Sequence, residues 1–98
     1  MTVDREEVME VLSKVVDPEI GIPITEMKLI DDVKIEDGNV YVEFHLTMPW
    51  CPPVFAMKIA SDIKEGISKV KGVKKVEVRL KDHYMADYIN EKIEKLKF

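Results

Sequence analysis

At 98 residues, with 46% hydrophobic and 35% charged, the chain is long enough for one modest core over residues 1–98 and too apolar to be disordered. A formal net charge of -4 argues against a generic nucleic-acid binder, and no apolar run approaches the roughly 20 residues a membrane helix needs. The first residues, MTVDREEVMEV, are acidic and amphipathic rather than signal-like, so a cytoplasmic location is expected.

The first element in chain order is a helix. Val8, Val11, Leu12, Val15 and Val16 recur at helical spacing. Asp4 with Glu7 has the form of a capping box, with Thr2 as the alternative cap. Asp17-Pro18 ends the helix, because a residue before proline is pushed out of helical geometry. The segment DPEIGIPITEMKLI follows, with two prolines and a glycine against any regular element up to Thr25. Loops of this length are often functional.

Two strands come next, joined at Asp37-Gly38-Asn39, a strong hairpin signal. Leu29, Asp31, Val33 and Ile35 are expected to share one side of the first strand. In the second, Val40, Val42, Phe44, Leu46 and Met48 face the core, which puts Tyr41, Glu43, His45 and Thr47 on the other side. After Pro52 or Pro53 at a first helical position, Ala56, Ile59, Ala60, Ile63, Ile67 and Val70 make an apolar stripe, with Gly72 beyond the helix end. Val76, Val78 and Leu80 alternate in a third strand, and Met85, Tyr88, Ile89, Ile93 and Leu96 mark a last helix. The order α-β-β-α-β-α predicts an α+β two-layer sandwich, a three-stranded sheet with helices on one face. Whether the third strand lies beside the first or the second stays open. The basic run from Lys69 to Lys81 reads as a solvated helix end and strand face.

Chemistry concentrates at few places. Cys51 is the one cysteine, which excludes an internal disulfide and an all-cysteine metal site within one chain. It falls at a strand-to-helix junction, where the partial positive charge of a helix start favours a thiolate. A small buried hydrophobe is the alternative reading of the same thiol. Thr47 either bonds the loop or sulfur or simply suits a strand, and Trp50 reads as a lid, a docking anchor or core. Asp17 and Glu19 flank Pro18, as a carboxylate pair or as a helix-end device. His45 and His83 lack any metal-ligand spacing. Absent Gln and abundant Lys and Glu give a thermophile-like composition.

Two motifs, D-P-E-I-G-I at 17–22 and T-x-P-x-C-P at 47–52, occur in order on this element pattern, and S-K-V-K-G-V-K-K-V-E-V-R-L follows at 68–80. Together they resemble the metal–sulfur cluster biosynthetic family that includes SufT and PaaD, also called the MIP-eighteen domain. The resemblance spans almost the whole chain. It implies an accessory or targeting factor in iron–sulfur cluster assembly rather than an enzyme, with Asp17, Pro18, Glu19, Thr47, Pro49, Cys51 and Pro52 as its motif residues and Cys51 reactive. It also implies other assembly proteins and client apo-proteins as partners, and iron or an iron–sulfur cluster bound transiently at Cys51. One cysteine supplies one ligand where a cluster usually takes four, so nothing stable is expected within one chain, and a homodimer or hetero-complex is. The other readings are a small thiol-dependent enzyme, an accessory subunit of a multicomponent oxygenase, and an RNA-binding or interaction module, the last opposed by the acidic charge. The chain departs from the family at E-M-K-L-I, 26–30, where Lys28 replaces a common glycine, and at Tyr84, near where a tryptophan is common.

Overall fold

The Asp37-Gly38 turn sets the register of the sheet. Both residues have positive φ, 50° and 85°, the type I′ geometry whose twist matches the strands it joins. It connects β1 (Ile30–Glu36) to β2 (Asn39–Phe44), antiparallel, with Glu36 opposite Asn39 and Val33 opposite Val42. The computed structural model describes residues 3–18, 20–46 and 52–96. A side chain at Gly38 would meet Gly72 O at 3.0 Å, and the Gly38 carbonyl accepts from Lys74 N at 2.7 Å. The hairpin tip is thereby tied to the chain entering β3 (Lys75–Leu80). That strand lies beside β2 and parallel to it, which makes the sheet order β1-β2-β3 and resolves the open question of its neighbour.

The expected faces hold along β2 and β3. Val40, Val42, Phe44, Leu46, Val76, Val78 and Leu80 are buried on the helix side, while the basic residues from Lys69 to Lys81 are exposed. Met48 lies outside the described residues. In β1 the expected face breaks at Asp31. The ladder shifts between Ile30 and Asp32, and a bulge there takes Asp31 out of line with Val33.

Among the described residues, three helices cover one face. Helix α1 (Arg5–Ser13) starts at Asp4, whose carboxylate accepts from Glu6 N at 2.8 Å. It buries Val8 and Leu12, then closes with bonds from Lys14 and Val15 back to Val11 and Leu12. So it stops before Asp17-Pro18, and Val16, expected on its apolar stripe, is instead exposed and bridged to Pro23. Helix α2 (Pro53–Ser68) takes Pro53 as its first residue and buries Ala56, Ile59, Ala60, Ile63 and Ile67. It approaches α1 closely at Gly66, where an added Cβ would sit 2.6 Å from Val11 Cγ1. Helix α3 (Ala86–Glu94) packs on α2 and β3. It buries Ile89, Asn90 and Ile93, but Tyr88, expected inside, is 51% exposed. The α+β order α-β-β-α-β-α is as expected. No helix among the described residues is long and apolar enough to cross a membrane.

Candidate functional site

The first motif is a tight excursion after α1. Asp17 N donates to Ile22 O at 3.0 Å, and the Asp17 carbonyl accepts from Gly21 N at 2.8 Å. Gly21 has φ 80°, a left-handed value that suits glycine. Asp17 itself is 6% exposed and Pro18 lies open beside it. Glu19, Thr47, Pro49 and Cys51, like Trp50, fall outside the described residues, so of the expected motif only Asp17, Pro18 and Pro52 have described positions.

A relay of backbone bonds joins this excursion to the end of β2. Ile24 N bonds Val15 O at 2.9 Å, Leu29 N bonds Ile24 O at 3.1 Å, and His45 N bonds Leu29 O at 2.9 Å. The segment carrying Asp17 and the strand end leading to Thr47 are therefore anchored to one end of the fold. Lys28 sits in this relay at φ 58°, the left-handed region, at the position where the resembled family commonly has glycine. A side chain there costs roughly 1–2 kcal/mol, part of which glycine loses again through its freer unfolded chain. Lys28→Gly is accordingly expected to raise stability by about 0.5 kcal/mol, read from the urea midpoint.

Beyond Cys51 the chain enters α2 with Pro52 extended, at φ -56° and ψ 138°. Among the described residues no side chain caps this helix start, and its first turn carries no acidic residue. Its positive end is thus not neutralised by the helix's own residues. Val54, in that first turn, is 65% exposed. Val16, Ile20, Ile22 and Val54, which lie within or beside the two motifs in sequence, are among the exposed large hydrophobics, with Tyr84 and Tyr88 on or before α3.

The sheet face away from the helices holds a polar network that the alternation pattern alone did not show. The bulge lets Asp31 reach His45, with Nδ1 2.8 and 3.0 Å from its two carboxylate oxygens. Lys81 Nζ lies 4.0 Å from Asp31 and 3.7 Å from Glu43. The Tyr41 hydroxyl donates to Glu43 at 3.0 Å. Burial first, then this bond and the carboxylate's charge, push the Tyr41 phenol above its ordinary 10.0. The folded value is the higher one, so the associated stabilisation is present below the unfolded value and is lost as pH rises through the folded one. In Glu43→Gln the phenolate absorbance should titrate at lower pH than in the parent protein. His83 is buried, accepts from Met85 N at 3.0 Å through Nδ1, and stacks near Tyr84 at 4.8 Å. No group of three or more His, Cys, Asp or Glu able to hold a metal ion occurs among the described residues.

Residues 5–80 match the model of a family described as iron–sulfur cluster assembly protein. The chain is 44% identical over 90 residues to an uncharacterised protein of Methanocaldococcus jannaschii, covering 91% of this chain and 93% of that one. It is 35% identical over 77 residues to the Fe-S protein maturation auxiliary factor YitW of Bacillus subtilis, covering 78% and 74%. The crystal structure of a domain of unknown function from Bacillus anthracis superimposes with a TM-score of 0.69 at 26% identity, over 91% of this chain and 86% of that one. The chain belongs to the iron–sulfur cluster assembly protein family, and its role is accessory to that assembly.

Proposed function

We propose that this accessory role runs through Cys51, whose thiolate transiently takes up iron, a cluster or the sulfane sulfur of a partner's persulfide, the partner's thiolate leaving, and passes it to a client apo-protein. The observation that carries the reading is the start of α2: it begins two residues after Cys51, its cap residue Pro52 makes no side-chain hydrogen bond and its first turn holds no acid. An anion at that point is favoured by the helix field, and a thiolate is the anion the sequence places there. The cluster is cargo rather than a resident group. One thiolate leaves three of its usual four ligands to come from elsewhere, so the donor, a second subunit or the client must supply them. The exposed Val16, Ile20, Ile22 and Val54 give such a partner apolar surface near the motifs. The protein works in the cytoplasm as a carrier or targeting factor, without turnover chemistry of its own, and Asp17 shapes the loop that accompanies the cysteine.

The test is anaerobic reconstitution of the parent protein and Cys51→Ser with ferrous iron and sulfide, followed by maturation of an apo iron–sulfur client. Less iron and sulfide on the variant, with impaired maturation, supports the role of Cys51. Equal content together with unimpaired maturation overturns it.

A further inference from the structure

The two histidines of the chain are set by their hydrogen bonds in opposite tautomers. His83 Nδ1 accepts from the Met85 N–H at 3.0 Å, so a neutral His83 carries its proton on Nε2. That ring is buried. His45 is the reverse case. Its Nδ1 lies 2.8 and 3.0 Å from the two oxygens of Asp31, and an ionised carboxylate only accepts, so Nδ1 bears the proton and donates it. The lone pair of the neutral ring is then left on Nε2. Among the described residues this nitrogen makes no hydrogen bond or ion pair. The His45 side chain is 32% exposed and that of Asp31 20%, so the carboxylate is the more covered of the two and the ring the more open.

The pair is held from three strands. His45 N bonds Leu29 O at 2.9 Å, just ahead of β1, and Lys81 N bonds Phe44 O at 2.9 Å, just beyond β3. Both bonds fix the backbone that carries the ring. The bulge between Ile30 and Asp32 is what brings Asp31 to it. Lys81 Nζ, 4.0 Å from Asp31 and 3.7 Å from Glu43, holds both carboxylates by charge. A carboxylate on one ring nitrogen and a lone pair on the other is the arrangement that supports metal-ligating histidines. The carboxylate fixes tautomer and ring orientation and makes the free nitrogen a better donor.

We propose that His45 Nε2 is a second metal donor of this chain, displacing one water from a hydrated divalent cation such as ferrous iron, with Asp31 as its positioning residue. The ion is the cargo assigned above to Cys51, an assignment that rests on the Cys51 reading. Cys51 lies six residues further along, so the chain between the two spans about 20 Å at full stretch and less in any other form. Two of the usual four ligands then come from one chain, and the donor or client supplies two rather than three. Imidazole suits ferrous iron and zinc alike, so zinc serves as a diamagnetic stand-in.

The experiment titrates the full chain with zinc alone and follows the imidazole nitrogens by NMR. Without metal, His45 should show the Nδ1–H tautomer and His83 the Nε2–H tautomer. Zinc should shift His45 Nε2 and leave His83 unchanged. In Asp31→Asn the His45 shift should need about ten-fold more zinc, the usual cost of losing the partner that orients a ligand. His45→Gln should lower zinc affinity by roughly ten-fold or more with an unchanged circular dichroism spectrum. In Cys51→Ser the His45 shift should persist, at higher zinc. A shift at equal zinc in the parent and Cys51→Ser keeps His45 as a donor and counts against Cys51. Zinc binding that leaves His45 Nε2 unshifted, no shift up to millimolar zinc, or an Nε2–H tautomer at His45 overturns the proposal, and none of these results touches the cysteine's own role.

Discussion

Replacing Asn90 by alanine is expected to lower folding stability by about 3 kcal/mol, one of the larger single effects in this chain. The side-chain amide satisfies both backbone groups of Leu80, at 2.7 and 2.9 Å. Leu80 and Asn90 are buried, at 2% and 7% exposure, so water does not readily take the amide's place. Removing it leaves one donor and one acceptor without partners, each costing about 1–3 kcal/mol. Alanine's better helix propensity returns roughly half a kcal/mol. For a chain this size the loss corresponds to a fall in melting temperature of very roughly 15 °C, checked by thermal and urea unfolding. A fall in the urea midpoint at constant slope is the expected form. A loss within about 0.5 kcal/mol would mean that the Leu80 groups find other partners.

Cys51→Ser and Cys51→Ala should both reduce delivery of iron or cluster to an apo client by roughly ten-fold or more, since loss of even an outer partner of a metal ligand costs that much. A serine hydroxyl does not ionise near neutral pH, so it keeps the shape of the thiol and loses its chemistry. Two variants are needed because serine adds a hydrogen-bonding group and alanine removes one. Circular dichroism of each separates lost delivery from lost fold. The thiol of the parent protein should also be alkylated faster at neutral pH than a free cysteine, given the uncapped, acid-free start of α2. Alkylation no faster than free cysteine, with delivery intact in both variants, would move the site away from Cys51 and towards the surfaces of the fold itself.

Several features of the site were legible because they are short-range. The D-P-E-I-G-I and T-x-P-x-C-P motifs stand in the chain as written, and with their spacing they pointed to the family that residues 5–80 match. The exchange of a common family glycine for Lys28 was visible too, and the left-handed φ of 58° shows what the glycine would serve. The Asp31–His45 pair was hidden, because a bulge changes side-chain alternation without leaving a mark in the hydrophobic pattern. Asn90 left a fainter signal. It sits between Ile89 and Ile93 on the buried stripe of α3, and a polar residue there asks what it satisfies. Nothing in the sequence named Leu80 as the answer.

Local order was thus set by the sequence itself. The positive-φ turn at Asp37-Gly38, the alternation in β2 and β3, and the apolar stripe of α2 depend on residues a few positions apart. Tertiary structure decided the rest. It placed β3 parallel to β2, brought the Asp17 excursion to the end of β2 through Ile24 and Leu29, turned Tyr88 outward, and plugged one edge of the sheet with Asn90. The physical reason is that these pairings join segments far apart in the chain. Periodicity tells each segment which face to bury, but not which partner will bury it.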